Sequence, residues 1–382
     1  MNSCNQSDVL IVGAGPAGLA CAIASARQGL TVEVIDAMKP PIDKACGEGL
    51  LPDSLEALAA LGFPNINQIL SATESHLVRG IRLIGAQASA RHPAATAEAA
   101  FPSSPGRGIR RTVLHQILLD RAASLGVRFH WENSVQSIAP TAEGTIVSSN
   151  RQTLRARYLI GADGPSSRVA TWAGLTEASL QSRRIGLRQH YTIAPWTDFV
   201  EVYWSNFGQA YVTPTSSEEV CVAFVADKKF ASPEVALSHF PALRRRLAIS
   251  QPKDPPRGSI TLCRKLRRVT KDNVALIGDA SGSVDAVTGE GMALCFRQAA
   301  ALSLALRAND LAQYQQAHRR IQRLPTLMSR SLLLMDRSPR LRDNVLRTFH
   351  STPWLFERLL QMHIGHSPLQ TSGTEGLRVL TG

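Results

Sequence analysis

The chain has 382 residues, of which 44% are hydrophobic, and it carries 42 Lys and Arg against 30 Asp and Glu, a formal net charge of +12. This length and composition predict a soluble globular protein with a sizeable core and two interleaved domains. The positive charge does not predict nucleic-acid binding, because the sequence shows no nucleic-acid-binding motif and only 5% of its residues are aromatic.

The first predicted element is a strand, a glycine-rich turn and a helix. Residues 8–12 form an apolar run, and the motif GxGxxG at residues 13–18 opens an apolar helix that continues to about Arg27. Glycines at this spacing bring a pyrophosphate close to the free N–H groups of a helix N-terminus. A second strand over residues 30–35 ends at Asp36, whose carboxylate can accept hydrogen bonds from ribose hydroxyls. The predicted dinucleotide site comprises Gly13, Gly15, Pro16, Ala17, Gly18 and Asp36.

Two further features bear on location and metal binding. Residues 9–26 carry no charge, but they include three glycines and a proline and follow no basic segment, so we expect neither a signal peptide nor a membrane span. The six cysteines show no CxxC spacing, which predicts neither a zinc site nor a disulfide framework. We therefore expect a cytoplasmic protein with reduced thiols and no bound metal.

The middle of the chain predicts an inserted sheet. Residues 86–105 are rich in Ala, Ser and Pro and are expected to be irregular. A helix over residues 112–125 and a strand over residues 127–131 extend the nucleotide-binding part. Four strand-like runs separated by turn residues then predict a mostly antiparallel sheet; they cover residues 185–193, 199–204, 210–213 and 220–225.

The last part of the chain returns to the first pattern and then becomes basic. Residues 274–277 predict a buried strand, and a helix is expected over residues 291–307. Eight arginines fall within residues 319–347, interleaved with leucines as in a pair of amphipathic helices. This segment is either a solvated helical face packed on the nucleotide-binding domain, or a surface that meets a membrane or an amphiphilic acidic substrate.

Three glycine and aspartate motifs carry a family resemblance. They are GxGxxG at residues 13–18, GADG at residues 161–164, and GD at residues 278–279 followed by GEG at residues 289–291. In this order they resemble FAD-dependent oxidoreductases of the aromatic hydroxylase (para-hydroxybenzoate hydroxylase-like) and geranylgeranyl reductase superfamily. The resemblance extends over about residues 8–325.

The resemblance implies an α/β fold. A Rossmann-like FAD-binding domain would carry an inserted, mostly antiparallel β-sheet substrate domain and a helical C-terminus. The implied boundaries are 1–75, 106–175 and 264–325 for the FAD-binding domain, 76–105 and 176–263 for the substrate domain, and 326–382 for the C-terminal segment.

The resemblance also implies FAD as cofactor and NAD(P)H as a transient reductant. Asp279 would accept a hydrogen bond from the ribityl chain, and amides of the GEG motif would face the flavin edge that becomes negative on reduction. Arg111 matches an arginine that reaches the cofactor phosphate or ribityl region, and Arg110 is the alternative. Besides the N-terminal group, the implied FAD contacts are Lys44, Arg111, Asp163, Gly278, Asp279, Gly289, Gly291 and Met292.

The candidate catalytic residues are Cys46, Glu48 and Tyr211, although the flavin would be the reactive centre. The loop KACGEGL at residues 44–50 resembles the reductase-branch loop KxCGGGL, with Glu48 where glycine is usual. Cys46 would contact the flavin or act directly, and Glu48 either tunes binding or protonation or is an exposed acid. Tyr203 and Tyr211 are the candidates for the substrate wall, and strand alternation restricts which neighbours face it.

The resemblance implies one main function and two alternatives. The main one is an NAD(P)H- and O₂-using monooxygenase that hydroxylates a small phenolic or polyketide-type aromatic through a C4a-hydroperoxyflavin. The alternative is a geranylgeranyl-reductase-like flavoprotein that reduces isoprenoid C=C bonds, and the minor one is a non-catalytic flavin-binding or redox-sensing protein. The expected partner is an aromatic or lipid-like small molecule, with no nucleic acid. Peripheral membrane contact would occur through the basic C-terminal helices, and no pattern predicts the oligomeric state.

Overall fold

The computed structural model describes residues 6–63, 69–71, 74–86, 94–102 and 104–364. The strands are β1 (Ser7–Val12), β2 (Val32–Ile35), β3 (Gly49–Leu50), β4 (Ser75–Val78), β5 (Gly80–Ile84), β6 (Thr96–Ala100), β7 (Gly106–Ile109), β8 (Arg128–His130), β9 (Val135–Thr141), β10 (Gly144–Ser149), β11 (Thr153–Gly161), β12 (Ala178–Thr192), β13 (Phe199–Trp204), β14 (Gln209–Ser216), β15 (Glu219–Ala226), β16 (Gln251–Pro252), β17 (Arg257–Leu266), β18 (Thr270–Lys271), β19 (Val274–Leu276) and β20 (Gly282–Ser283). The helices are α1 (Pro16–Arg27), α2 (Pro52–Ala60), α3 (Arg111–Ser124), α4 (Arg168–Trp172), α5 (Pro233–Ser238), α6 (Pro241–Arg246), α7 (Gly291–Arg307), α8 (Leu311–Arg337), α9 (Pro339–Ser351) and α10 (Pro353–His363), and two short 3₁₀ turns cover Gly278–Ser281 and Ala286–Thr288.

The first sheet is the predicted nucleotide-binding sheet. Its main path runs β18-β19-β11-β1-β2-β8, and β1 pairs in parallel with both β2 and β11. Because Val9, Leu10 and Ile11 are fully buried, β1 is covered on both faces, as parallel strands are. Helix α1 packs on this sheet beside α3 and α7. The carboxyl ends of β1, β11 and β19 therefore meet at one edge, where open α/β sheets bind ligands.

The second sheet is the predicted inserted sheet. Its path runs β20-β17-β12-β15-β14-β13-β5-β6, and every pair along it is antiparallel except β13 with β5. One face packs on a core with α5 and α6, and the other faces α8, α9 and α10. A small third sheet of β3, β7 and β4 lies beside it. The predicted α/β fold with an inserted sheet and a helical C-terminus is confirmed.

The expectation of irregular structure over residues 86–105 was wrong in part. Residues 96–100 form β6, which pairs with β5. Ala97 and Ala99 are buried while Thr96 and Glu98 are exposed, so the strand does alternate. Alanine has low β-propensity, and this concealed the alternation. Residues 87–93 and 103 of that segment lie outside the described residues.

The C-terminal helices form a cover over the second sheet. The arginine-rich residues 319–347 lie in α8 and α9, which confirms the predicted helix pair, and Met335, Leu346 and Phe356 pack against the sheet. The implied domain boundary at residue 325 falls inside α8; the domain division itself stays a prediction. Among the described helices, none combines the length and apolar character that crossing a membrane requires.

Candidate active site

A cavity of about 1210 Å³ lies between the two sheets and the C-terminal helices. One part, here called the flavin end, is bounded by the glycine motifs and the loop at residues 44–49. The predicted residues in its wall are Gly15, Pro16, Ala17, Lys44, Cys46, Glu48, Arg111, Gly278, Asp279, Gly289, Gly291 and Met292. The fold thus brings together residues that are more than 200 positions apart in the sequence.

The turn at residues 13–18 is shaped for a phosphate. A Cβ on Gly13 would meet the carbonyl oxygen of Ala162 at 2.5 Å, and one on Gly18 would meet the carbonyl oxygen of Gly13 at 1.8 Å. A Cβ on Gly15 would meet only Arg111 Nη2, at 3.8 Å, so this position opens into the cavity. The first-turn N–H groups of α1 have no intrahelical partners and no capping side chain in the described structure. Such a helix start attracts a phosphate group.

Four predicted cofactor residues lie outside the cavity wall. Gly13 and Gly18 shape the turn, as their close contacts show. Asp36 follows β2 and accepts hydrogen bonds from the backbone N–H groups of Ala14 and Met38, at 2.7 and 2.8 Å. Asp163 accepts hydrogen bonds from Ser167 Oγ and from the backbone at the start of α4. The Asp163 carboxylate therefore orders the turn after β11.

The late motifs present a carboxylate and a second helix start to the cavity. The side chain of Asp279 is open to the cavity, and its carboxylate makes no hydrogen bond within the described part of the chain. Burial raises the pKa of Asp279, and the charges of Arg111 and Lys44 partly offset the rise. Gly289 adopts φ +68°, and Cβ atoms on Gly289 or Gly291 would have nothing within 4 Å. This open start of α7 lacks a capping side chain.

These observations fit FAD. An adenosine diphosphate part matches the turn at residues 13–18, and a hydroxyl-bearing ribityl chain matches the unpartnered Asp279. The open start of α7 would place N–H dipoles where a reduced flavin gathers negative charge. No single motif provides all three features, so the fit rests on their being brought together.

The loop at residues 44–49 is held by buried charges. Glu48 has φ +58°, a left-handed conformation that costs a non-glycine residue about 1–2 kcal/mol. Its buried carboxylate accepts hydrogen bonds from Arg188 Nη1 at 2.9 Å and Arg111 N at 3.0 Å, and contacts His190 Nε2 at 2.6 Å. Arg188 also binds Asp43 at 2.9 Å. Glu48 is therefore a loop anchor and was wrongly considered as an exposed acid.

A second buried arginine on β12 holds the late motif. Arg184 is fully buried and binds Asp285 and Asp336, both at 3.1 Å. Asp285 precedes the 3₁₀ turn that leads to Gly289, so Arg184 ties the flavin end to β12 and α8. Sequence reasoning missed Arg184 and Arg188. Arg188 lies two residues before His190 in the predicted strand 185–193, and Arg184 directly precedes that strand; this even spacing, which puts the three side chains on one face, was the available signal.

Cys46 lies in the cavity wall as a protonated thiol. Burial raises the pKa of Cys46, and the positive charge of Arg111 offsets part of this rise. Ligand atoms of Glu48, His190 and Cys221 lie within 4.8 Å of one another. Both Glu48 oxygens are already engaged, one of them by the Arg188 guanidinium, which disfavours a bound cation there.

The second sheet decides which of the proposed wall residues face the cavity. Val200, Val202 and Trp204 of β13 line it, and Tyr211 of β14 lines it from the neighbouring strand. Tyr203 points to the opposite face, where its hydroxyl donates to Glu201 Oε2 at 2.7 Å. The suggestion of Tyr203 as a wall residue was therefore wrong, because alternate strand residues face opposite sides.

The structure also distinguishes the two candidate arginines, Arg111 and Arg110. Arg111 begins α3 and lines the cavity. Arg110 binds Glu219, with Nε to Oε1 at 2.7 Å, and reaches Asp254 at 3.2 Å. Arg110 therefore belongs to a structural ion pair and does not replace Arg111 in the cavity wall.

The other part of the cavity, here called the apolar end, lies between the second sheet and α8, α9 and α10. Its wall is mostly hydrocarbon. It is lined by Leu51, Ile81, Leu83, Val200, Val202, Trp204, Met328, Leu332, Met335, Val345, Phe349, Leu355, Phe356, Leu359 and Leu360.

Two buried acids lie next to the flavin end. Burial, and to a lesser extent Asp53, raises the pKa of Glu290 to about 8, so Glu290 is protonated at neutral pH. Burial also raises the pKa of Asp53 to about 6. Glu290 Oε2 lies 3.7 Å from Nδ1 of His363, whose Nε2 lies 2.9 Å from the carbonyl oxygen of Thr288. The end of α10 is thereby attached to the peptide that leads into α7.

The fold and the cavity define a dinucleotide-binding protein with a second, inserted sheet. Comparison with known proteins makes this specific: the chain belongs to the family described as FAD binding domain, whose profile matches residues 6–313. The chain is therefore an FAD-dependent oxidoreductase.

Individual relatives and a solved structure agree with this assignment. The chain is 28% identical to a menaquinone reductase of Mycolicibacterium smegmatis over 306 residues, 75% of this chain and 73% of that protein. It is 27% identical to digeranylgeranylglycerophospholipid reductase 1 of Methanothermobacter thermautotrophicus over 311 residues, with the same coverage of 75% and 73%. Its fold is similar to a flavoprotein/dehydrogenase from Cytophaga hutchinsonii, with TM-score 0.80, 19% identity, and coverage of 94% of this chain and 93% of that one.

Proposed function

We propose that this flavoprotein is a reductase that saturates a carbon–carbon double bond in a polyprenyl lipid. The observation that carries the proposal is the apolar end of the cavity, which continues from the flavin end to the C-terminal helices. Burying one CH₂ group contributes about 0.8 kcal/mol, so a long branched hydrocarbon chain gains much from such a wall. The two relatives are reductases named for a quinone and a phospholipid that carry isoprenoid chains, which supports this reading.

FAD held at this site would, once reduced, supply hydride to one alkene carbon, and we propose NAD(P)H as the source of its electrons. In this proposal the residues at the flavin end hold the cofactor: Gly15 and Ala17 at the pyrophosphate, Asp279 at the ribityl chain, and the start of α7 at the flavin ring. Gly13, Gly18, Asp36 and Asp163 shape the turns that support it, and Lys44, Arg111, Gly278 and Met292 complete the wall.

The chain also has groups that could protonate the second alkene carbon. Cys46 and Tyr211 both line the cavity, and burial raises the pKa of each, so both hold their protons at neutral pH. Tyr211 donates a hydrogen bond to Gln209 Oε1 at 3.1 Å, which fixes the position of its oxygen. We propose that one of the two is the proton donor and that Glu48 positions the loop that carries Cys46.

The aromatic hydroxylase expected from the sequence stays a prediction. A single phenolic ring would occupy a small fraction of the apolar end, and most of the wall there offers no hydrogen-bonding group to orient a phenol hydroxyl. The reductase accounts for the size and the chemistry of the whole cavity, so it is the function that we favour.

Anaerobic turnover tests the proposal. The purified FAD-loaded protein would be incubated with NADH or NADPH and a geranylgeranyl lipid, and the product analysed by mass spectrometry. We expect the lipid to gain two hydrogens per double bond without oxygen. A product that forms only in the presence of oxygen and contains a new oxygen atom would contradict it. Under the same conditions the variants Cys46→Ala and Tyr211→Phe identify the proton donor. The variant that lacks the donor should keep flavin reduction by NAD(P)H and lose reduction of the lipid.

A further inference from the structure

The C-terminal helices contribute exposed residues to the wall of the cavity. Of the wall residues on α8, α9 and α10, five are exposed, and we take them to mark an opening, here called the mouth. They are Ser331 and Leu334 of α8, and Leu341, Asn344 and Thr348 of α9. A ligand that reaches the apolar end through the mouth passes between these two helices.

The surface around the mouth exposes large apolar side chains. Leu334 and Leu341 are 58% and 42% exposed. Leu327, about two helical turns before Leu334 on α8, is 60% exposed. Trp354 of α10 is 62% exposed. Residues seven apart lie on the same side of a helix, so Leu327 and Leu334 share one face. Exposed leucines and tryptophans on amphipathic helices are typical of a surface that meets lipid.

The same surface is strongly basic. Helices α8 and α9 contain eight arginines, and of these only Arg342 is buried. Arg323, Arg330 and Arg337 follow the face that carries the two leucines, spaced seven apart. The two acids of these helices have other partners: Asp336 is turned inward to Arg184 at 3.1 Å, and Asp343 lies 3.7 Å from Arg342. The face that carries Leu327 and Leu334 therefore alternates arginine with leucine.

We infer that the surface formed by Arg323, Leu327, Leu334, Arg337, Leu341 and Trp354, here called the docking face, binds the surface of a bilayer that contains anionic lipids. The arginines pair with lipid phosphates while the leucines and the tryptophan enter the interface, as in interfacial amphipathic helices. Because the mouth opens on the docking face, a polyprenyl lipid enters the cavity from the bilayer without crossing water. The last step rests on the proposed function; the docking does not.

Vesicle sedimentation tests the docking with the FAD-loaded full chain. Vesicles of phosphatidylcholine alone are compared with vesicles in which part of it is replaced by phosphatidylglycerol. We expect binding to the anionic vesicles that weakens as salt is raised, because exposed charges are screened. Leu327→Glu and Arg337→Glu are each expected to lower the partition coefficient by at least about fivefold, since one basic residue near the surface is worth about that factor.

Leu180→Glu is the matched control. Leu180 lies on β12 and is not one of the residues that define the docking face; it is 60% exposed like Leu327, and the substitution changes the net charge equally. We expect Leu180→Glu to bind vesicles like the unchanged protein. Trp354 provides a second readout, because its fluorescence should shift to the blue with anionic vesicles and this shift should be missing in Trp354→Phe.

Equal binding by the Leu327→Glu and Leu180→Glu proteins would overturn the inference, as would binding to neither type of vesicle. The protein could instead self-associate through this face, lose that association in Leu327→Glu and bind no vesicles. This result would assign the face to a second copy of the chain and would also overturn the inference. A short prenyl substrate presented in solution separates the two proposals. If the Leu327→Glu and Leu180→Glu proteins reduce this substrate equally, the proposed function holds whatever the result with vesicles. If no prenyl substrate is reduced, vesicle binding still tests the docking.

Discussion

Replacing Arg188 by Met would remove the guanidinium that holds the loop at residues 44–49. Arg188 is buried and binds Glu48 at 2.9 Å and Asp43 at 2.9 and 3.2 Å. Removing one partner of a buried ion pair costs about 3–5 kcal/mol, because the remaining charge stays desolvated. His190 at 2.6 Å from Glu48 compensates in part, so we expect about 3 kcal/mol. FAD occupancy should fall as well, because the loop forms part of the flavin end.

Urea unfolding followed by circular dichroism measures this loss, and Arg79→Met is the control. Arg79 is exposed and binds Asp198 at 3.2 Å, and an exposed pair contributes about 1 kcal/mol or less. The double variant Arg188→Met with Glu48→Gln should recover part of the loss, because it also removes the stranded carboxylate. If Arg188→Met and Arg79→Met destabilised the protein equally, the ion pair would not be the anchor described above.

Three further outcomes follow from the site. Asp279→Ala should bind FAD at least about tenfold more weakly, because a lost charge-assisted hydrogen bond is worth about 1.5–3 kcal/mol. Flavin absorbance after gel filtration measures the FAD occupancy, and full occupancy in this variant would show that Asp279 does not bind the cofactor. The pKa of Glu290 rises from 4.5 to about 8, so the native state holds a proton that the unfolded state has lost, and the free energy of unfolding should fall as pH increases across that interval. Glu290→Gln should flatten this dependence in urea titrations at several pH values, and an unchanged slope would argue against a protonated Glu290. Val345→Trp narrows the apolar end and should raise the KM for a geranylgeranyl lipid more than for a geranyl one; equal effects on both would mean that the chain does not extend past Val345.

Local patterns predicted the parts of the site that depend on backbone geometry. Gly13 and Gly18 are required by close backbone contacts and Gly289 by its φ of +68°, and such local requirements can be predicted from the spacing of glycines in the sequence. Asp279 follows a short buried strand, and the fold places it at the same sheet edge as those turns. The antiparallel second sheet was also predictable, because its strands alternate and are bounded by turn residues.

The remainder depends on tertiary contacts that have no local signature. Tyr203 and Tyr211 lie on adjacent strands, and only the register of β13 with β14 determines which of them faces the cavity. In the sequence Arg184 and Arg188 resemble exposed strand residues, because their acidic partners lie in distant loops and in α8. Strand β6 was not predicted because its alanines have low β-propensity; it forms a strand because it pairs with β5. The apolar end has no motif, because three helices and a sheet each contribute only a few side chains to it.

The central claim is that the reduced flavoprotein passes its electrons to an isoprenoid double bond. The most direct test is a single-turnover experiment, in which the chemically reduced FAD-loaded protein is mixed without oxygen with a geranylgeranyl lipid, and in parallel with an alkylresorcinol. We predict that flavin absorbance returns with the lipid alone, in step with the gain of two hydrogens. Return of the absorbance only after oxygen is admitted, with hydroxylated resorcinol as product, would contradict the reductase and establish the hydroxylase.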